Sequence, residues 1–129
     1  MTFTDPSPRH ERAIDSQVLD EYRAIDARGG GGDFVTRLID QYLAESTSRM
    51  AELKDAIERR DAPAVRRTAH SLKGSSGTVG AGRMAEICGE LDQLARNMTF
   101  DGTSTLVVAL DDEFKRVRDA LQLERGIAG

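Results

Sequence analysis

Apolar residues recur at intervals of three and four along most of the chain, in five separable runs. From Asp15 or Ser16 as N-cap, Val18, Leu19, Tyr22 and Ile25 share one helical face until RGGGG at 28–32 stops the run. Asp33 is placed to cap a long helix carrying Phe34, Val35, Leu38, Ile39, Tyr42, Leu43, Met50, Leu53 and Ile57 and ending near Arg60. Asp61 can cap a third helix, with Pro63 in its first turn, where a missing N–H costs little. Val65, Ala69, Leu72, Ser76 and Val79 keep one face of that helix. After GAG at 80–82, Met84, Ile87, Leu91, Leu94 and Met98 mark a fourth helix, and TFDGT at 99–103 makes a turn. Leu106, Leu110, Phe114, Val117 and Leu121 mark a fifth, whose pattern absorbs the strand-like LVVAL at 106–110.

Four long amphipathic helices on short connections predict an all-α fold, an antiparallel four-helix bundle with an additional short N-terminal helix over one end. The expected boundaries are a bundle over residues 14–124, between flexible tails at 1–13 and 125–129. At 129 residues the chain has the usual size of one domain.

Charge and composition narrow the function. With 18 Lys and Arg against 22 Asp and Glu, the net charge of −4 argues against nucleic acid, as does the lack of Trp. No stretch is apolar enough for a membrane span or a signal peptide, and the single cysteine suits a reducing compartment, so the expected location is the cytoplasm. Cys88 lies beside the apolar stripe of the fourth helix and reads as packing. His10 falls in the N-terminal tail and reads as solvated.

The informative segment is RRTAHSLKGSSGTVGAG at 66–82, which sets His70, Lys73 and four glycines within helical periodicity. Adjacent helix positions differ by about 100°, so His70 lies off the stripe through Ala69 and Leu72 and should be at least partly exposed. Its neighbours one turn away are Arg66, Arg67, Lys73 and Gly74, with Gly77 a turn further. Each interior glycine costs a helix roughly 0.5–1 kcal/mol relative to alanine. The compensating gain is clearance, because a surface without side chains lets another macromolecule approach the ring. A phosphate-binding loop fits less well, since no strand precedes the segment and GxxxxGK[ST] is missing; the Gly29–Gly32 tract fails the same test and reads as linker. Metal ligation lacks HExxH, ExxH and CxxC spacings.

AHSLKGSSGTVGAGRMAEICGELDQLAR, residues 69–96, resembles the signature of histidine-containing phosphotransfer domains: a histidine, then x-x-Lys-Gly, a run of small residues, a Gly-Ala turn and a second helix. The resemblance implies a bundle whose exposed histidine takes a phosphoryl group from the aspartate of one receiver domain and passes it to another. His70 then matches the phosphorylated histidine, Lys73 the nearby cation, Gly74 and Gly77 the small positions, and Arg96 a basic residue of the following helix. Where several members carry glutamine, this chain has Asp92 with Gln93 beside it. Arg66, Arg67, Asp92, Gln93 and Arg96 are thereby candidates for partner docking or for the surroundings of the phosphoryl group.

The chemistry agrees with the resemblance. A neutral imidazole has one ring nitrogen with a free lone pair for in-line attack, here expected to be Nε2, and Lys73 can offer charge to the transferring group. The expected partners are receiver domains of hybrid histidine kinases and response regulators, met through a transient interface below ~1,200 Å² by a monomeric chain. No cofactor is expected on this chain; Mg²⁺ would belong to the receiver. Nothing resembles an ATP site, so the expected role is a phosphotransfer intermediate rather than an enzyme. The alternative from another class is a helical adaptor that binds receiver or kinase domains without phosphotransfer.

Overall fold

The computed structural model describes residues 12–29 and 34–128. Five helices follow in order: α1 (Ser16–Gly29), α2 (Phe34–Glu58), α3 (Ala62–Thr78), α4 (Gly82–Arg96) and α5 (Thr103–Ala128). The four long ones close a ring in which α2 packs on α3, α3 on α4, α4 on α5 and α5 back on α2. Ion pairs on the α2–α5 seam join Lys54 to Asp111 and Asp40 to Arg125, so position falls on one helix as it rises on the other. This is an antiparallel bundle, as the periodicity predicts. Its core holds one stripe from each helix, with Leu19, Ile39, Leu53, Leu72, Met84, Ile87, Leu91, Leu110 and Leu121 fully buried.

Three of the helix ends share one construction. The N–H of Asp61 bonds the carbonyl of Ala56, that of Ala81 bonds Ser76, and that of Thr99 bonds Leu94, at 2.8–3.0 Å. Each bond closes a Schellman turn through a residue in the left-handed region: Arg60 (φ 55), Gly80 (φ 81) and Met98 (φ 57). At two of these corners the closing residue also starts the next helix. Asp61 accepts a bond from the Ala64 N–H at 3.1 Å, and Ala81 precedes the first turn of α4. The left-handed residues explain two boundary differences. The second helix stops at Glu58 instead of running to Arg60, and Met98, expected on the apolar face of the fourth helix, is an exposed corner residue. Arg60 is held there by stacking its guanidinium 5.4 Å from the centre of the Phe100 ring.

α1 lies across the end of the bundle where α3 finishes. The Asp15 N–H bonds the Gly80 carbonyl at 2.8 Å, while the Asp15 carboxylate caps α1 through the Gln17 N–H. At the other end of α1, Tyr22 meets Phe34 edge to face, Asp26 accepts from the Phe34 N–H, and Arg23 pairs with Glu124 of α5. Ile25, expected on the buried face, is 59 % exposed because this short helix is covered on one side only. Ala13 and Ile14 are buried, so the packed region begins inside the expected tail. It also continues past Glu124, since α5 stays helical to Ala128 and Arg125 pairs with Asp40 at 2.7 Å. Asp33, the expected cap of the second helix, and His10 lie outside the described residues.

Two outcomes follow from this packing. A Cβ on Gly80 would sit 2.8 Å from the Asp15 carbonyl oxygen, at a φ that L side chains avoid. Gly80→Ala should therefore cost about 1–3 kcal/mol in urea unfolding, and an unchanged midpoint would contradict the closeness of this corner. Burial pushes the Cys88 thiol up to about 12 and raises the Tyr42 phenol above its usual value. An unfolded thiol releases its proton near pH 9, so between pH 9 and 12 the unfolded state has lost a proton that the folded state keeps. Stability should fall as pH rises through that window, by about 1.4 kcal/mol per unit for the thiol. Urea titrations of Cys88→Ala should show a flatter decline; an identical slope would place the thiol in water.

Candidate functional site

The rotation of α3 about its axis is set by what it buries. Val65, Ala69, Leu72 and Ser76 are at most 1 % exposed, and Val79 closes the same stripe at the C-cap. Ser76 also shares a 2.9 Å hydrogen bond with the Tyr42 hydroxyl of α2, which contacts Met84 Sδ of α4 at 3.3 Å. This polar link inside the core joins three helices. With that stripe inward, His70 points outward from the middle of the helix and is exposed. Among the described residues no hydrogen bond or ion pair restrains its ring.

The surface beyond the ring is open. Among the described residues, nothing beyond the local helix backbone and the adjoining residues lies within 4 Å of where a Cβ on Gly74 or Gly77 would stand, so neither glycine is a close-packing site there. The hydroxyls between and beside them turn back on the helix: Ser75 donates to the Ser71 carbonyl at 3.1 Å and Thr78 to the Gly74 carbonyl at 3.1 Å. A smooth patch of backbone therefore adjoins the imidazole.

On the other side, His70 shares a shallow depression of about 460 Å³ with Pro63, Arg66, Arg67, Asp92 and Arg96. The antiparallel run of α3 and α4 brings Asp92 and Arg96 to this place. Asp92, one turn before Arg96 on α4, is 8 % exposed. Its Oδ2 lies 3.4 Å from Arg96 Nε and its Oδ1 3.9 Å from Arg66 Nε, so one carboxylate faces guanidinium groups from two helices.

The remaining candidates gather elsewhere. Lys73 and Gln93 line a neighbouring depression with Ala85, Glu86, Gly89 and Glu90. The end of the Lys73 side chain, Cε and Nζ alike, lies 3.7 Å from the Cβ position of Gly89, and Gln93 Nε2 reaches Asn97 Oδ1 at 3.5 Å. Gly89 and Pro63 were missed in the sequence. A mid-helix glycine on the helix facing Lys73 is the available signal for the first, and nothing in spacing marks Pro63 as more than a helix-start residue. No three His, Cys, Asp or Glu side chains cluster at metal-binding separation among the described residues, and none of their helices is long and apolar enough to cross a membrane.

Comparison with known proteins agrees with this geometry. The Hpt domain family matches residues 37–120. The chain is 26 % identical over 114 residues to multistep phosphorelay regulator 1 of Schizosaccharomyces pombe, covering 86 % of this chain and 38 % of that protein. It is 28 % identical over 96 residues to histidine-containing phosphotransfer protein 2 of Arabidopsis thaliana, covering 72 % and 62 %. It thus spans less than two thirds of either curated relative. The crystal structure of histidine-containing phosphotransfer protein B from Pseudomonas aeruginosa superposes with a TM-score of 0.80 and 30 % identity, over 94 % of this chain and 97 % of that one. A helical bundle with an outward histidine on α3, matched by the family over most of its length, places this chain in the Hpt domain family.

Proposed function

We propose that the chain is a phosphohistidine carrier in a two-component phosphorelay. The observation that carries this reading is the exposed, unrestrained imidazole of His70, fixed at mid-helix between a bare glycine surface and a depression lined with arginines. In the proposed step, the Nε2 lone pair attacks the phosphorus of a receiver's aspartyl phosphate in line with the bond to the carboxylate oxygen. The N–P bond forms as the P–O bond breaks, aspartate leaves as carboxylate, and Nδ1 keeps its proton. The reverse step on a second receiver passes the group on.

Each neighbour has a role that its position supports. Gly74 and Gly77 leave room for the partner's backbone, so that the acyl phosphate reaches the ring. Arg66, Arg67 and Arg96 supply positive charge beside a group that carries about −1.5 to −2 at neutral pH. Lys73, one turn from His70, rests against Gly89, and its flexible four-carbon stem can swing the ammonium group to the transferring phosphoryl. The receiver contributes the divalent cation. ATP has no part in the step, because the phosphoryl donor is the partner.

His70→Gln should abolish alkali-stable, acid-labile label received from a phosphorylated receiver domain while leaving receiver binding within about twofold; equal labelling would remove His70, and binding without any transfer in the parent chain would favour an adaptor. Lys73→Ala should slow transfer by roughly tenfold or more with little change in unfolding midpoint, as expected for one charge acting in the transition state. An unchanged rate would take Lys73 out of the mechanism. Gly74→Ala and Gly77→Ala should each stabilise the fold by about 0.5–1 kcal/mol, since a methyl meets open space and favours helix, yet slow transfer. Loss of stability would overturn the open-surface geometry.

A further inference from the structure

Asp92 is the anion in a depression otherwise lined by Pro63, His70 and three arginines. Its carboxylate is 11 % exposed, whereas the arginines it faces are half exposed, 49 % for Arg66 and 51 % for Arg96. The pairing is loose. Its contacts of 3.4 and 3.9 Å compare with 2.7 and 3.0 Å for the two hydrogen bonds from Arg125 to Asp40 on the far side of the bundle. Loosely held guanidinium groups on long side chains can turn to a stronger anion arriving nearby, whereas a buried carboxylate on a helix cannot leave.

We propose that Asp92 is a positioning residue that stands in for the phosphoryl group: it keeps Arg66 and Arg96 beside His70 while the site is empty and competes for them once His70 is phosphorylated. This rests on the carrier reading above. A phosphoryl group on His70 enters the same depression as Asp92. It attracts the arginines and is repelled by the carboxylate, so the phosphohistidine is held less tightly than three arginines alone would hold it. A carrier needs that balance, because a phosphoryl group bound too well would not move on. Asp92 thereby sets the transfer potential of the site without touching the reacting atoms.

The test measures the equilibrium between a phosphorylated receiver domain and the full chain, and the lifetime of phosphohistidine formed with phosphoramidate, which needs no receiver. Asp92→Asn preserves shape and removes the charge. It should shift the equilibrium toward the carrier by roughly threefold to tenfold and lengthen the phosphohistidine lifetime, the size expected for one partly exposed charge. Arg66→Ala/Arg96→Ala with Asp92 retained should shift the equilibrium the other way, and adding Asp92→Asn to that pair should give a clearly smaller gain than in the parent chain, the part owed to direct repulsion alone. An equilibrium that stays put or moves toward the receiver in folded Asp92→Asn, or a gain undiminished without the arginines, overturns the role. If the parent chain takes no phosphoryl group on His70 from either donor, the carrier reading itself fails and this role with it; a charged parent with an indifferent Asp92→Asn leaves the carrier standing alone.

Discussion

The rotational setting of α3 is the constraint on which the rest of the molecule depends. Val65, Ala69, Leu72 and Ser76 must all face inward, and the Ser76–Tyr42 bond resists even a small roll, because a roll would strand two buried hydroxyls. Small residues at two of these four positions let α3 lie close to its neighbours. Once that face is fixed, His70 has one direction left, outward, and Gly74 and Gly77 form the surface beside it. The exposure of the histidine is thus a consequence of core packing on the opposite side of the same helix.

The corners keep this arrangement rigid. The chain spends few residues between α2 and α3, between α3 and α4, and between α4 and α5, because each of the first helices ends in a Schellman turn. The α3–α4 corner bears directly on the site, since it sets the register that brings Asp92 and Arg96 of α4 alongside Arg66 and His70 of α3. Gly80 holds the backbone of that corner against Asp15, so α1 stabilises the geometry of a site it does not touch.

Much of this is legible in the sequence, for physical reasons that differ by residue. Helical periodicity encodes rotation, so the buried stripe of α3 and the outward direction of His70 follow from spacing alone. The bare surface is legible too, because glycine inside a helical pattern needs a reason. Helix ends are less so: Arg60 and Met98 occupy left-handed positions where glycine would be the usual signal, which hides two boundaries. Periodicity also misplaces Ile25, since it reports a helical face and not whether another element covers it. The burial of Asp92 could not be read from its spacing to Arg96, because it depends on Arg66 arriving from another helix. Likewise, Lys73 is one turn from His70 and Gln93 is next to Asp92 in the chain, yet the packing of α4 gathers both with Gly89 in a separate depression.

In the proposed carrier, the phosphoryl group resides on Nε2 of His70. Nitrogen-resolved NMR of the imidazole rings, recorded on the full chain before and after charging by a phosphorylated receiver domain, tests it most directly. The His70 ring alone should respond, with Nε2 taking the shift and phosphorus coupling of a phosphorylated nitrogen while Nδ1 stays protonated. Label that appears on the chain while the His70 ring keeps its resting spectrum would contradict it.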